Sequence, residues 1–272
     1  MLGVRRRDIA ALSAWIGKLS LRARVAAGGG LALGLILIVW AVLNARGEAR
    51  LLRAEPNVIP ADAAMMRFAE SRGFGLYQAH CASCHGADGQ GHYAMGVPNL
   101  TDKDWIYGEG EVSDIETVVQ YGIRASNGRT WRLADMPAFA HARPYAREPA
   151  IKSLSPGDIG DVMQFLRLLQ QLPADPAAAI RGGAIFAGRG ACYDCHSRDG
   201  HGDPATGAPN LTDAIWLYGD GSAKWIYDTI ANGRAGVCPA WSGRLGPAQI
   251  REVSLYVYSL SHGRSEPKPS LQ

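Results

Sequence analysis

The chain has 272 residues, which is enough for two domains of about 100 residues and an additional segment. Its formal charge is +3, but residues 1–53 hold nine basic residues and only two acidic ones. Residues 54–272 therefore carry 19 basic and 23 acidic residues, a balance of −4 that argues against nucleic-acid binding and suits a basic redox partner.

The N-terminal region has the pattern of a membrane anchor. Residues 25–43 contain no charge, and 19 residues at about 1.5 Å each nearly cross a hydrocarbon core of roughly 30 Å. Residues 1–24 carry six basic residues and one acidic residue, so this segment is predicted to stay in the cytoplasm, with the chain after residue 43 outside. A cleaved signal peptide is the alternative interpretation.

Two short boxes carry the chemistry. Residues 81–85 read Cys-Ala-Ser-Cys-His and residues 192–196 read Cys-Tyr-Asp-Cys-His, and each is the C-x-x-C-H pattern of a c-type haem attachment site. The two thiols bond the vinyl groups of one porphyrin, and the adjoining histidine is the proximal iron ligand. A redox dithiol or half a zinc site would not explain the histidine. The boxes assign two haems to the residues Cys81, Cys84 and His85, and Cys192, Cys195 and His196.

An internal duplication surrounds the boxes. Residues 98–102, Pro-Asn-Leu-Thr-Asp, recur at residues 209–213, and the offset of 111 is that of the boxes. The same offset relates Trp105, Tyr107 and Gly108 to Trp216, Tyr218 and Gly219. Later, Met136-Pro-Ala-Phe aligns with Cys238-Pro-Ala-Trp at an offset of 102. The predicted organisation is a linker at residues 44–64 and two cytochrome c domains at residues 65–173 and 174–272.

Both domains are predicted to be helical, so the fold class is all-α, with one N-terminal transmembrane helix followed by two tandem cytochrome c domains. A helix precedes each box, starting near Ala61 and near Pro176. Each domain also closes with a helix, and Ser155 followed by Pro156 is a typical start for the first. Apolar residues repeat at spacings of 3, 4 and 3 in both closing helices and predict core faces: Ile159, Val162, Leu166 and Leu169, and Ile250, Val253, Val257 and Leu260.

The sixth iron ligands are predicted from the loops after the boxes. Met136 lies 51 residues after His85, and its thioether is predicted to be the sixth ligand of the first haem iron. Met95 is a weaker candidate, and Met163 is interpreted as core. The residue aligned with Met136 in the second copy is Cys238, whose thiolate would stabilise ferric iron and lower the potential of the second haem. The alternatives are a free cysteine beside a five-coordinate haem and ligation by a histidine.

Other polar residues have weaker assignments. Five further histidines, His80, His92, His141, His201 and His262, are interpreted first as surface residues. His80 and His141 are alternatively propionate partners or iron ligands, and His201 and His262 are the alternative ligands of the second iron if Cys238 does not bind it. Four arginines lie in the loops that lead to the sixth ligands, where solvent exposure or pairing with haem propionates is expected: Arg124, Arg129, Arg132 and Arg234.

The anchor, the two boxes and the paired Pro-Asn-Leu-Thr-Asp, Trp-x-Tyr-Gly and Met-Pro-Ala-Phe blocks resemble subunit III of cbb3-type cytochrome c oxidases over nearly the whole chain. The resemblance implies a non-catalytic electron-transfer subunit in a bacterial inner membrane, with two haem c groups in the periplasm. Its implied partners are a donor cytochrome c, a monohaem c-type subunit and the haem–copper subunit that reduces oxygen. Carried over by position, His85 and Met136 would bind haem 1 and His196 haem 2, whereas Cys238 departs from the methionine typical of the family.

Two functions of other classes remain open from the sequence. His/Cys ligation would suit a dihaem enzyme that acts on sulfur compounds, and an open iron position would suit a haem-based gas-binding module. Turnover of a sulfur substrate, or carbon monoxide binding by the reduced protein, would distinguish them from the oxidase subunit.

Overall fold

The computed structural model describes residues 20–131, 135–141 and 153–263. Most of the predicted cytoplasmic segment, together with Arg132, lies outside these residues. The chain divides into two compact units, one that ends at Arg50 and one that starts at Leu51.

Helix α1 (Leu21–Arg53) contains the predicted anchor at residues 25–43. Its part Gly28–Arg53 is long enough to cross a membrane, and an 18-residue stretch within it has a mean hydropathy of 2.0 and no buried residue. The side chains of Leu31, Ile36 and Trp40 are all exposed. Within the described residues, this is the one helix with these properties.

The unit that starts at Leu51 is helical. A 3-10 helix (Pro56–Ala61) follows α1. The further helices are α2 (Ala63–His80), α3 (Ala82–His85), α4 (Val112–Tyr121), α5 (Pro156–Leu169), α6 (Pro176–Phe186), α7 (Tyr193–His196), α8 (Ala223–Asn232) and α9 (Pro247–His262). The described residues include isolated β-bridges but no longer strand. The predicted all-α fold class is confirmed.

The helices begin where local signals place them. Asp62 caps α2 by accepting hydrogen bonds from the backbone N–H groups of Ala64 and Met65, at 3.0 Å each. Ser155 starts α5 through a capping box with Asp158, and proline follows it at the first helical position, as predicted.

The closing helices pack across the two repeats. Helix α5, from the first repeat, packs on α6 of the second, and α9, from the second repeat, packs on α2 of the first. The predicted boundaries at residues 65–173 and 174–272 follow the sequence repeats, whereas the helix contacts cross them. Only residues 170–175 separate α5 from α6, and a short connection favours antiparallel packing of the neighbouring helices. Helix α9 then covers the equivalent face of α2.

The two exchanged helix pairs use equivalent residues. A Cβ atom at Gly73 of α2 would overlap the backbone carbonyl of Glu252 in α9, and one at Gly182 of α6 would overlap that of Asp161 in α5. Glycine is therefore needed for the helices to approach this closely. Arg72, which precedes Gly73, forms an ion pair with Glu252, and Arg181, which precedes Gly182, forms one with Asp161.

Candidate functional site

Each box presents its histidine in the form that binds iron. The Nδ1 atom of His85 lies 3.1 Å from the carbonyl oxygen of Pro98, and that of His196 lies 3.0 Å from the carbonyl oxygen of Pro209. A carbonyl only accepts, so Nδ1 carries the proton in both rings and Nε2 is left to bind the metal. Burial lowers the pKa of both histidines, which favours the neutral ring.

The sequence analysis identified Pro98 and Pro209 as part of the repeat but gave them no role. In the structure their carbonyl oxygens fix the two histidines. Each lies 13 residues after its histidine at the start of the repeated Pro-Asn-Leu-Thr-Asp block. The asparagine of each block accepts hydrogen bonds from the backbone and hydroxyl of its threonine, at 2.8 and 2.7 Å for Asn99 and at 2.9 and 2.8 Å for Asn210. This turn fixes the loop that carries the carbonyl, which explains why the block recurs with each box.

The donor set fits a covalently attached haem. In each box one turn of helix carries both thiols and the histidine, which is the arrangement that two thioether bonds to a single porphyrin need. Burial raises the pKa of Cys81 to about 11 and that of Cys192 to about 12, so these thiols stay neutral until they react. Cys81, Cys84 and His85 would hold one haem, and Cys192, Cys195 and His196 the other.

Met136 lies with the second box, not the first. Its backbone pairs in both directions with Arg234, with N···O distances of 2.8 and 3.0 Å. Its side chain packs against a core that contains Phe139 and Ile230, together with the partly buried Cys192 and Leu211. The sequence assigns Met136 to the iron held by His85, and that assignment stays a prediction.

Cys238 lies with the first box. Its backbone pairs in both directions with Ile123, at 2.9 and 3.0 Å, and its thiol is close enough to Cys84 for the two to interact electrostatically. Burial, and to a smaller extent Cys84, raises the pKa of Cys238 to about 11. Three residues on, the Trp241 ring packs 5.1 Å from the ring of His80, which directly precedes the first box. The loops that carry the candidate sixth ligands are therefore exchanged, as the closing helices are.

The remaining candidate residues lie further from the boxes. Met95 is exposed, and Met163 packs against the core around α5. Four of the other histidines are exposed: His92, His141, His201 and His262. His262 stacks on Tyr258 at 4.0 Å, and His201 pairs with Asp199 at 3.2 Å.

The arginines of the ligand loops bond to protein groups. Arg124 donates to the carbonyl of Gly236 at 2.6 Å, Arg129 donates to the hydroxyl of Tyr121 at 2.7 Å, and Arg234 donates to the hydroxyl of Thr229 at 2.9 Å. Pairing with propionates stays a prediction for Arg124 and Arg234.

Comparison with known proteins gives a consistent result for both repeats. A family model described as cytochrome c matches residues 70–170, and one described as cytochrome C oxidase, cbb3-type, subunit III matches residues 177–257. Among solved structures, a chain of the Kuenenia stuttgartiensis reducing HAO-like protein complex matches over 70% of this chain and 96% of its own length. The identity is 17% and the TM-score is only 0.19.

Curated relatives match most of the chain. The cbb3-type cytochrome c oxidase subunit FixP of Bradyrhizobium sp. (strain ORS 278) is 40% identical over 80% of this chain and 71% of its own length. The subunits CcoP of Cereibacter sphaeroides and Rhodobacter capsulatus are 35% and 39% identical, over 82% and 83% of this chain and 72% and 73% of theirs.

Proposed function

Because the chain belongs to the family of subunit III of cbb3-type cytochrome c oxidases, we propose that it relays electrons from a donor cytochrome c towards the haem–copper centre of such an oxidase. It is a membrane-anchored dihaem cytochrome c with two covalently bound haem c groups. The iron of each haem supplies the one-electron chemistry, while the chain holds the group, orients it and shields it from water.

The topology and the partners are the finer parts of the proposal. The six basic residues of residues 1–24 favour a cytoplasmic N-terminus and hence haem sites in the periplasm of a bacterial inner membrane. The partners are a donor cytochrome c, a monohaem c-type subunit and the haem–copper catalytic subunit. The acidic balance of residues 54–272 suits a donor with a basic face.

One observation carries this proposal: two complete attachment sites, each with its histidine fixed by a proline carbonyl, belong to a single packed unit. The test is purification from native membranes through a tag on this chain. We expect b-type haem and copper to co-purify, and the preparation to consume oxygen when reduced cytochrome c is supplied. A Cys81→Ala/Cys84→Ala variant is the control, because it should lose oxygen consumption from the donor. A wild-type preparation without b-type haem and copper would refute the proposal.

We also propose that the sixth ligands are exchanged, so that Met136 binds the iron held by His196 and Cys238 binds the iron held by His85. The support is that Met136, whose backbone pairs with Arg234, packs on the core that includes Cys192, and that Cys238, whose backbone pairs with Ile123, lies near Cys84. A thiolate favours ferric iron and a thioether favours ferrous iron. The haem attached to Cys81 and Cys84 should therefore have the lower potential.

The pairing can be tested one site at a time. In a Cys192→Ala/Cys195→Ala background only the first haem remains, and Cys238→Met should raise its potential and change the electron paramagnetic resonance (EPR) spectrum of its ferric form. In the complementary Cys81→Ala/Cys84→Ala background, Cys238→Met should have no effect and Met136→Ala should lower the potential. If Cys238→Met alters only the second haem, the pairing predicted from chain order is correct and the exchange of ligands is wrong.

A further inference from the structure

A left-handed arginine fastens the loop that carries Cys238. Arg124 has a φ of +49°, in the left-handed region that residues with a side chain rarely adopt. Its backbone N–H donates to the carbonyl of Trp131 at 2.8 Å, and its Nε donates to the carbonyl of Gly236 at 2.6 Å. The residue before it, Ile123, is the backbone partner of Cys238. The strained conformation thus directs the guanidinium at the segment two residues before the candidate ligand.

Tyr107 continues this contact towards the other haem site. Its hydroxyl accepts a hydrogen bond from Nη2 of Arg124 at 3.0 Å. Its ring packs directly on Gly207, where a Cβ atom would overlap the ring. Gly207 lies two residues before Pro209, whose carbonyl fixes His196. We call this series of contacts, from Cys238 through Arg124 and Tyr107 to the Pro209 loop, the Tyr107 link.

The second repeat forms a matching series. The ring of Tyr218 packs on Gly96, two residues before Pro98, and the guanidinium of Arg234 lies 4.3 Å above that ring. Arg234 is itself the backbone partner of Met136. Paired backbone hydrogen bonds join the same loops, from Gly108 to Pro204 at 3.3 Å and from Gly219 to Tyr93 at 3.1 Å.

From these contacts we infer that Tyr107 and Arg124 are positioning residues that tie the Cys238 loop of the first haem site to the His196 loop of the second. The inference rests on the exchanged ligand pairing proposed above. Its consequence is that the ligand geometries of the two irons depend on one another: a change at the Cys238 loop reaches the proximal loop of the other iron through a tyrosine ring and two backbone turns. The potentials of the two haems would then be set jointly.

The test uses the full-length, haem-loaded chain, with redox titration and EPR of both ferric haems. Tyr107→Phe removes the hydroxyl that bonds to Arg124 but keeps the ring on Gly207, so the first haem should change and the second should change less. Tyr107→Ala removes both contacts, so both sites should change. Arg124→Gln should lower the potential of the first haem, because a positive charge beside it is lost. Arg124→Lys should restore much of that potential but keep the altered EPR spectrum, since lysine lacks the planar group that reaches Gly236 and Tyr107 together.

A matched control comes from the same loop. Arg129→Gln removes an exposed charge from the loop that contains Arg124 and should leave both haems unchanged.

The outcomes separate this inference from the ligand pairing. If Cys238→Met alters the first haem as expected but all Tyr107 and Arg124 variants match the wild type, the inference is refuted and the pairing stands. If Cys238→Met leaves the first haem unchanged, the pairing itself fails. Should Tyr107→Ala not load haem, Tyr107→Phe and Arg124→Lys decide: a change in the first haem accompanied by a smaller change in the second upholds the inference, whereas spectra identical to wild type, or a change confined to the first haem, overturn it.

Discussion

Three carboxyl groups, those of Asp102, Asp104 and Asp213, lie close together where the two repeats meet. Burial, and then the nearby Asp213 and Asp102, raises the pKa of Asp104 to about 6. Burial also raises the pKa of Asp102, against a smaller opposing effect of its hydrogen bond from the Asp104 backbone. The charged form of Asp104 is therefore less favourable in the folded chain than in the unfolded one.

The sign of the resulting pH dependence follows from the direction of this shift. Between the unfolded pKa near 3.8 and the folded pKa near 6, the folded state binds more protons, so stability falls as the pH rises through this window and stays lower above it. Asp104→Asn should remove that loss and stabilise the fold at pH 7 by on the order of 1 kcal/mol, because Asp104 is only half-buried and solvent screens the repulsion.

Denaturant unfolding of the wild type and the Asn variant at pH 4 and pH 7 would check this prediction. Asp220→Asn is the control, because Asp220 is exposed and its pKa is lowered by the hydrogen bond from Ser222. That variant should not gain stability at pH 7. Equal stability of wild type and Asp104→Asn at both pH values would contradict the prediction.

At the scale of the helices, local signals were sufficient to find the elements but not their partners. The cap at Ser155 and the 3, 4, 3 spacing of apolar residues located α5 and α9 and their buried faces. The two repeats present equivalent faces, with Arg72-Gly73 in α2 and Arg181-Gly182 in α6, so either closing helix has residues suited to either one. Which pairs form depends on chain connectivity, and for that reason the box residues were predictable from the sequence whereas the exchange of the closing helices was not.

The close crossing of α2 and α9 predicts opposite effects for two glycines of one helix. Gly73→Ala should destabilise the fold by about 1–3 kcal/mol, because its Cβ would overlap the Glu252 carbonyl and the Tyr256 side chain. Gly75→Ala meets nothing within 4 Å and should stabilise α2 by about 0.5–1 kcal/mol through its higher helix propensity. Thermal unfolding of the two variants provides the comparison, and a stabilised Gly73→Ala would show that α9 does not cross α2 this closely.

The exchange of helices also predicts which haem depends on the C-terminus. A chain that ends at Gly236 lacks Cys238 and α9, which lie beside the first box, but keeps Met136, α5 and α6, which lie beside the second. The haem attached to Cys192 and Cys195 should therefore keep its low-spin spectrum, while the haem at Cys81 and Cys84 becomes high-spin or is not retained. A chain that ends at Gly263 keeps α9 and serves as the control. Loss of the second haem instead would mean that each repeat closes on itself.

At the scale of the whole molecule, the haem-bearing unit includes the last turn of the anchor helix. Leu51 is fully buried in a core with Ile59, Met66 and Leu255. The buried Arg251 of α9 donates to the carbonyl oxygens of Leu51 and Ala54, at 2.9 and 3.1 Å. The same guanidinium pairs with Glu116 of α4 at 2.7 Å, so residues 51–54, α4 and α9 meet at one charged residue.

This arrangement predicts where the anchor can be removed. An exported chain that starts at residue 46 keeps Leu51 and Ala54 and lacks residues 25–43, so it should be soluble without detergent and should carry both haems. A chain that starts at residue 56 lacks Leu51, so a cavity remains in the core. It also lacks the carbonyl oxygens of Leu51 and Ala54, which accept hydrogen bonds from Nη1 of Arg251. Losses of these kinds cost about 2–5 kcal/mol for a buried leucine and about 1–3 kcal/mol for a buried donor left unsatisfied.

Guanidinium unfolding should therefore show a clearly lower midpoint for the shorter chain, with the first haem site affected more than the second because α9 belongs to the first. Equal midpoints would show that the end of α1 is not part of the haem-bearing core, and aggregation of the chain from residue 46 without detergent would place a second membrane contact beyond the anchor.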